Sequence, residues 1–324
     1  MSPPKTPPDA DQAPAAALPG TVAEAPAKCG FVAIIGAPNA GKSTLVNTLV
    51  GAKVSIVSHK VQTTRVPLRG IAIEGRCQLI LVDTPGIFQP RRRLDRAMVD
   101  AAWGGAGDAD RVVLLVDAAK GIDHDTDAIV EKLKATRSPI ILALNKLDRL
   151  DNTGRLLELG AKLTKRLTFE KTFMISALNG DGVNDLKAYL AGKMPVGPWH
   201  YPEDELSDAP MRLLAAELTR EKIYKYLHDE LPYSMTVETT DWKEQKNKSV
   251  RIEQTIFVER DSQKKIALGH KGETIKRISM ESRHDLMQII ERPVHLFLFV
   301  KVRQNWADDP ERYREMGLTF PTGE

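Results

Sequence analysis

The stretch Gly36-Ala37-Pro38-Asn39-Ala40-Gly41-Lys42-Ser43 constrains this chain more than any other feature. It reads G-x-x-x-x-G-K-S, follows the apolar run Phe31-Val32-Ala33-Ile34-Ile35 and precedes a helical run over Thr44–Val50. Glycines at both ends let successive backbone N–H groups curl around an anion at a helix N-terminus. In such a loop Lys42 suits the β- and γ-phosphates of a nucleotide, and the Ser43 hydroxyl suits Mg²⁺. Strand-like runs recur at Cys77–Val82, Arg111–Val116, Pro139–Leu144 and Lys171–Ile175, with helical patterns between them. This alternation predicts an α/β domain, a mostly parallel sheet with helices on both faces.

Three further motifs sit at the ends of those strands. Asp83-Thr84-Pro85-Gly86 begins forty residues after Ser43. A carboxylate there can hold the metal through water, and the Gly86 amide can sense a γ-phosphate. Asn145-Lys146-Leu147-Asp148 follows the fourth run. Guanine offers an N1–H and a 2-amino group that one carboxylate can accept together, so Asp148 selects guanine. Asn145 would tie its loop to the phosphate loop, and the Lys146 stem would cover the base. Ser176-Ala177-Leu178 follows the fifth run and would place the Ala177 N–H on guanine O6. Each motif alone is an ordinary turn; in this order, at these strand ends, they form one nucleotide site. With Thr44 and Ile87 at its margins, that site is the candidate nucleotide-binding set. Asp148 disfavours an ATPase.

Residues 1–28 are a Pro/Ala-rich segment, expected as a disordered tail because so few large apolar groups cannot offset ordering entropy. The two cysteines, Cys29 and Cys77, lie in no metal-ligand spacing, so a disulfide scaffold is excluded and a reducing, cytoplasmic setting is expected. No apolar run approaches the roughly 18 residues of a spanning helix. After Met194-Pro195-Val196-Gly197-Pro198 the pattern changes. A helix is expected from about Pro210 to Asp229, strands at Tyr233–Glu238, Ser249–Val258 and Val294–Val302, and a helix–turn–helix around Gly269–Gly272. The expected organisation is thus a first domain over 29–195, a linker over 196–209, an α+β domain over 210–318 and a short tail over 319–324.

Net charge is +3, yet between residues 243 and 283 eleven basic side chains face six acidic ones. That window contains Gly269-His270-Lys271-Gly272, with Lys264, Lys265, Lys276 and Arg277 nearby. G-x-x-G between helices, with clustered cations, predicts a KH-type clamp for single-stranded RNA phosphates. Ile275 and Ile278 are read as core and groove wall.

The N-terminal motifs, with Gln62-Thr63-Thr64-Arg65, resemble the Era GTPases among the translation-factor-like GTPases. The second half extends the resemblance through Ala216-Glu217-Leu218-Thr219-Arg220-Glu221-Lys222, Glu230-Leu231-Pro232-Tyr233-Ser234, Val258-Glu259-Arg260, Ile266–Gly272 and Trp306-Ala307-Asp308-Asp309. It spans about residues 29–318. Ala37 stands where an arginine is commoner, at a position that contributes its backbone N–H. The resemblance implies a type II KH domain after the GTPase domain, and GTP hydrolysis with Mg²⁺ held by Ser43, Thr64 and Asp83. Lys42, Thr64 and Gly86 are then the catalytic set, with Thr63 the lesser candidate for the switch threonine. It implies as partners the 3′ region of 16S ribosomal RNA and the 30S subunit rather than DNA, for a monomer associated peripherally with the inner membrane. Ile87 and Phe88 stand where Ras-type enzymes carry a water-orienting glutamine, so intrinsic turnover should be slow. Asn39 resembles the residue that recruits K⁺ in related GTPases, or it braces the loop. Arg91-Arg92-Arg93 is read as a solvated helix, with a catalytic finger or an RNA contact as alternatives. The competing reading for the whole chain is an RNA-binding scaffold with a structural nucleotide pocket.

Overall fold

The computed structural model describes residues 25–58, 60, 63–90, 92–150 and 154–321. The tail through residue 24, Gln62, Arg91 and residues 322–324 lie outside the described residues. β1 (Lys28–Ile35) leads through the phosphate loop into α1 (Lys42–Val50), as the G-x-x-x-x-G-K-S pattern demands. β2 (Leu68–Glu74) and β3 (Cys77–Asp83) form a hairpin closed at Gly75, whose φ is 57°. Then follow α2 (Arg93–Gly107), β4 (Arg111–Asp117), α3 (His124–Leu133), β5 (Ile140–Asn145), α4 (Gly154–Thr164), β6 (Lys171–Met174) and α5 (Val183–Lys193).

The described strands of this half form one sheet in the order β2-β3-β1-β4-β5-β6, parallel except for β2. β2 is the strand that the apolar pattern did not reveal. Arg69 and Gly70 interrupt its hydrophobic alternation, and Gly70 is needed because a Cβ there would come within 2.9 Å of Val46 and Val50 on α1. The four central strands are apolar on both faces because helices cover both. All the nucleotide motifs consequently lie at one end of the sheet, past the carboxyl ends of β1, β3, β5 and β6.

Residues 196–209 are not a free linker. Val196 bridges Lys28 at the start of β1, Ser207 bridges Gly70, and the Ile71 N–H donates to the Leu206 carbonyl at 2.9 Å, so the segment is tied to the sheet at both ends, its last residues along the open edge of β2. Beyond it come α6 (Met211–Tyr226), β7 (Met235–Glu244), β8 (Val250–Val258), α7 (Asp261–Leu268), α8 (Glu273–Ile290), β9 (Val294–Val302) and α9 (Pro310–Glu315). β7 pairs antiparallel and β9 parallel with β8, in the order β7-β8-β9. Expected helix and strand types hold throughout this half. β7 starts two residues late because Leu231–Ser234 form a 3₁₀ turn.

The halves pack closely. Trp306, Tyr313, Met316 and Leu318 bury against Val66, Leu68, Leu94 and Met98. Phe320, expected in a tail, packs edge-on against Tyr313 at 4.9 Å. No helix among the described residues is long and apolar enough to cross a membrane.

Candidate nucleotide and RNA sites

A cavity of about 520 Å³ opens at the carboxyl end of the first sheet, lined among others by Lys42, Ser43, Thr64, Gly86, Asn145 and Asp148. Gly41 has φ 102° and lies so close to Asn145 that a Cβ would meet its amide at 2.4 Å. Lys42, the first residue of α1, is buried and donates to the carbonyls of Gly36 and Ala37, each at 3.0 Å. Burial lowers its pKa to about 8; Asp83 opposes that shift and Lys146 adds to it. A polyphosphate would supply the missing counter-charge.

Three hard oxygens converge beside it. The Ser43 hydroxyl donates to Asp83 Oδ2 at 2.8 Å and lies 2.9 Å from Thr64 Oγ1, which is itself 3.5 Å from Asp83 Oδ2. Asp83 is fully buried at the end of β3, and its Oδ1 has no hydrogen-bond partner among the described residues. Burial raises its pKa against the hydrogen bonds from Ser43 and Thr64 and the pull of Lys42. Oxygen donors beside an unpaired buried carboxylate oxygen suit Mg²⁺.

The far end of the cavity is built from two loops locked together. Asn145 donates to the Ala40 carbonyl at 2.8 Å and accepts from the Ala177 N–H at 2.9 Å. Lys146, in left-handed backbone, donates to Asp117 Oδ2 and the Asn39 carbonyl, both at 2.6 Å. Asp148 is exposed on the cavity wall, where its Oδ1 accepts from the Ser176 hydroxyl at 2.6 Å.

In the second half, α7 and α8 meet at Gly269–Gly272. Gly269 has φ 74° and ψ 177°, Lys271 φ 49° and Gly272 φ 80°. The turn thereby delivers the chain to the N-terminus of an 18-residue helix, the positive end of its dipole. His270, Lys271, Lys265, Lys276 and Arg277 are exposed, Lys264 is half-buried, and Arg277 stacks over Tyr226 at 4.4 Å. Ile278 is fully buried and Ile275 partly so, as expected for core and groove wall.

Residues 31–146 match the family model described as a 50S ribosome-binding GTPase, and residues 230–307 match a KH domain. "GTPase Era" of Brucella suis biovar 1 is 63% identical over 91% of this chain and 94% of its own length. "GTPase Era" of Mesorhizobium japonicum is 64% identical over 92% and 96%. The chain belongs to the Era GTPase family. Era structures agree with it in fold. One holds MgGDPNP and nucleotides 1506–1542 of 16S ribosomal RNA; another is a single-residue variant of Aquifex aeolicus Era bound to GDP·AlF4⁻. Each has a TM-score of 0.85 at 36% identity, covering 90% of this chain and 99% of its own.

Within this Era-family site, the expected residues divide into three groups. Pro38, Asn39, Gly41–Thr44, Thr64, Gly86, Asn145, Lys146, Asp148, Ala177 and Leu178 line the cavity. Gly36, Ala37, Ala40, Asp83 and Ser176 stand one layer behind, holding the lining residues through the bonds above. Thr84, Pro85, Ile87 and Leu147 do not reach the cavity. The Thr84 hydroxyl donates to the Ile34 carbonyl, and Ile87 and Leu147 pack into the core beside β4. The Ala177 N–H, assigned from sequence to guanine O6, donates to the Asn145 side chain in this structure. Arg92 and Arg93 do not line the cavity; they pair with Glu230 at 3.6 Å and Asp308 at 3.1 Å, so these two arginines bridge the two halves. Sequence reasoning missed Asp117, which anchors Lys146 from the end of β4. Its signal was available, as a carboxylate just past an apolar strand.

Proposed function

We propose that this chain binds GTP with Mg²⁺, hydrolyses it slowly to GDP and phosphate, and engages the 3′ region of 16S ribosomal RNA during 30S maturation. The GTPase domain is assigned to residues 29–195 and the KH domain to 210–318, joined by 196–209. One observation carries the reading: a single cavity presents a buried lysine and clustered oxygens at one end and a guanine-sized acceptor, Asp148, at the other.

In this mechanism the Asp148 carboxylate accepts the N1–H and 2-amino protons of guanine, while Lys146 stays pinned between Asp117 and Asn39 against the base. Lys42 supplies positive charge to the phosphates, and the Gly86 N–H donates to the terminal one. Ser43, Thr64 and Asp83 would hold Mg²⁺, which would supply positive charge against the phosphates. The Ile87 side chain turns into the core, so no side chain next to Gly86 orients the attacking water, and turnover is slow. Asn39, at φ 63° on the cavity wall, is assigned to hold K⁺.

The Gly269–Gly272 turn takes the RNA phosphates at the N-terminus of α8 through the exposed His270 and Lys271. Phosphate release in K⁺ and in Na⁺, with and without a 3′-terminal 16S fragment, tests this reading. Faster release in K⁺ that disappears in Asn39→Ala is expected. Equal rates in both salts remove the ion role, and no GTP turnover in any condition leaves an RNA-binding scaffold.

A further inference from the structure

The motif Glu217–Lys222 has no part in the nucleotide or RNA sites, yet it is the most unusual helical segment of the chain. The helical spacing of its leucines predicts an amphipathic α6, but Glu217, Thr219, Arg220, Glu221 and Lys222 are all less than 9% exposed. Burying so many charged groups is costly unless each meets a specific partner. Thr219 and Lys222 find theirs within the same half, at Gln254 and at Glu221 and Asp285, but Glu221 and Arg220 reach across the domain boundary to the segment between α1 and β2. Lys53 bonds Glu221 at 2.7 Å and Asp285 at 3.0 Å, and the Val57 N–H donates to Glu221 at 2.9 Å.

Arg220 makes the most specific of these contacts. Its guanidinium donates to Glu217 within α6 and, through Nη2, to the Thr63 carbonyl. Two residues further along, Arg65 reaches back into the KH domain. It is 4% exposed and donates to the carbonyls of Met235 at 2.7 Å, Tyr233 at 3.0 Å and Pro232 at 3.3 Å, beneath Trp306. Between the two anchored positions sits Thr64, whose hydroxyl meets Ser43 and Asp83. The Thr63 carbonyl belongs to the same peptide plane as the Thr64 N–H, so fixing it fixes one dihedral axis of Thr64.

We propose that Arg220 is a positioning residue for GTP hydrolysis: from the KH domain it holds the backbone before Thr64, as Arg65 holds it after. The hydroxyl of Thr64 is thereby kept at the Ser43–Asp83 cluster. The inference rests on the GTPase reading above. Arginine is required, because one planar fork must serve a carboxylate and a carbonyl at once, and a lysine ammonium cannot span both.

The test uses the full chain with Arg220→Lys, which keeps the charge beside Glu217 and loses the reach to Thr63. Glu217→Gln/Arg220→Met, which removes the buried pair together, is read in the same way if the lysine variant melts early. Turnover, GDP affinity and affinity for a non-hydrolysable GTP analogue are measured with Thr64 present and in a Thr64→Ala background. Turnover and the analogue-to-GDP affinity ratio should fall about tenfold with Thr64 present and no further in Thr64→Ala, the mark of coupled residues. GDP affinity should hold within about twofold, since GDP has no γ-phosphate for the Thr64 cluster to sense. No loss, an equal loss in both backgrounds, or a parallel fall in GDP affinity would overturn the proposal. Absence of turnover in the unaltered chain would instead overturn the GTPase reading.

Discussion

Replacing Gly269 by alanine should damage the RNA clamp far more than the same change at Gly272, although both glycines belong to one four-residue turn. Gly269 combines φ 74° with ψ 177°, a region open in practice only to glycine. Forcing alanine there costs about 1–3 kcal/mol in backbone strain. Its Cβ would also stand 2.1 Å from Thr274 Oγ1 and 2.9 Å from the Thr274 backbone N, in the first turn of α8. Crowding of that kind adds about 1–3 kcal/mol. Gly272, at φ 80° and ψ 14°, has ordinary left-handed geometry, and its nearest neighbour is Ile275 at 4.0 Å. Alanine there costs only about 1–2 kcal/mol. At about 4 °C per kcal/mol for a unit near 100 residues, the KH transition should fall by roughly 8–24 °C for Gly269→Ala and roughly 4–8 °C for Gly272→Ala. Calorimetry of the full chain reads both, with GDP affinity as the control for the other domain. Adding Thr274→Ala should recover less than half of the Gly269→Ala loss, because the backbone N remains in the way. Equal shifts for the two glycines, or full recovery with Thr274→Ala, would refute the reasoning.

Three other outcomes follow from the geometry. Asp148→Asn should weaken GTP binding by at least about 2 kcal/mol, roughly thirtyfold, and favour xanthosine nucleotides, whose 2-carbonyl accepts from the new amide; unchanged GTP affinity would take Asp148 out of the base site. His270→Asp with Lys271→Asp should lower affinity for the 16S fragment at least about tenfold, or ~1.4 kcal/mol, and leave GTP affinity alone; filter binding at fixed salt decides it. Burial pushes the Cys77 thiol up to about 11, with Cys29 adding to the rise, and Cys29 is raised in the same way. A thiol-reactive dye at pH 8 should therefore label neither cysteine quickly in the folded chain and both in denaturant. Since the unfolded thiols ionise near about 8.5, the unfolded chain binds fewer protons above that pH, so stability should decline as pH rises towards 11.

Much of the site was legible because phosphate and guanine recognition depends on local chemistry. Lys42, Ser43, Asp83 and Asp148 are short-range consequences of a strand, a turn and a helix start, and each lies where its motif predicts. Legibility ended where a residue's neighbours come from far along the chain. Ile87 carries no sign in its motif that its side chain turns into the core. β2 hides because its alternation is broken at Gly70, and that glycine answers to α1, twenty residues earlier. Nor does the Ser176-Ala177-Leu178 motif show that Asn145, thirty-two residues before Ala177, accepts from its N–H.

The amino-acid sequence by itself determined most of the order of elements, the phosphate loop and the G-x-x-G turn. These depend on backbone propensity, hydrophobic period and residue type within a few positions. Tertiary structure alone decided that Arg65, Arg92, Arg93 and Arg220 bind across the domain boundary. In the sequence they are only charges beside motifs, indistinguishable from a solvated face. Their partners are backbone carbonyls and carboxylates between 138 and 215 residues away or on the opposing domain, and carbonyls leave no mark in a sequence at all. The hold on Thr64 exists only because folding brings α6 against the segment that precedes β2.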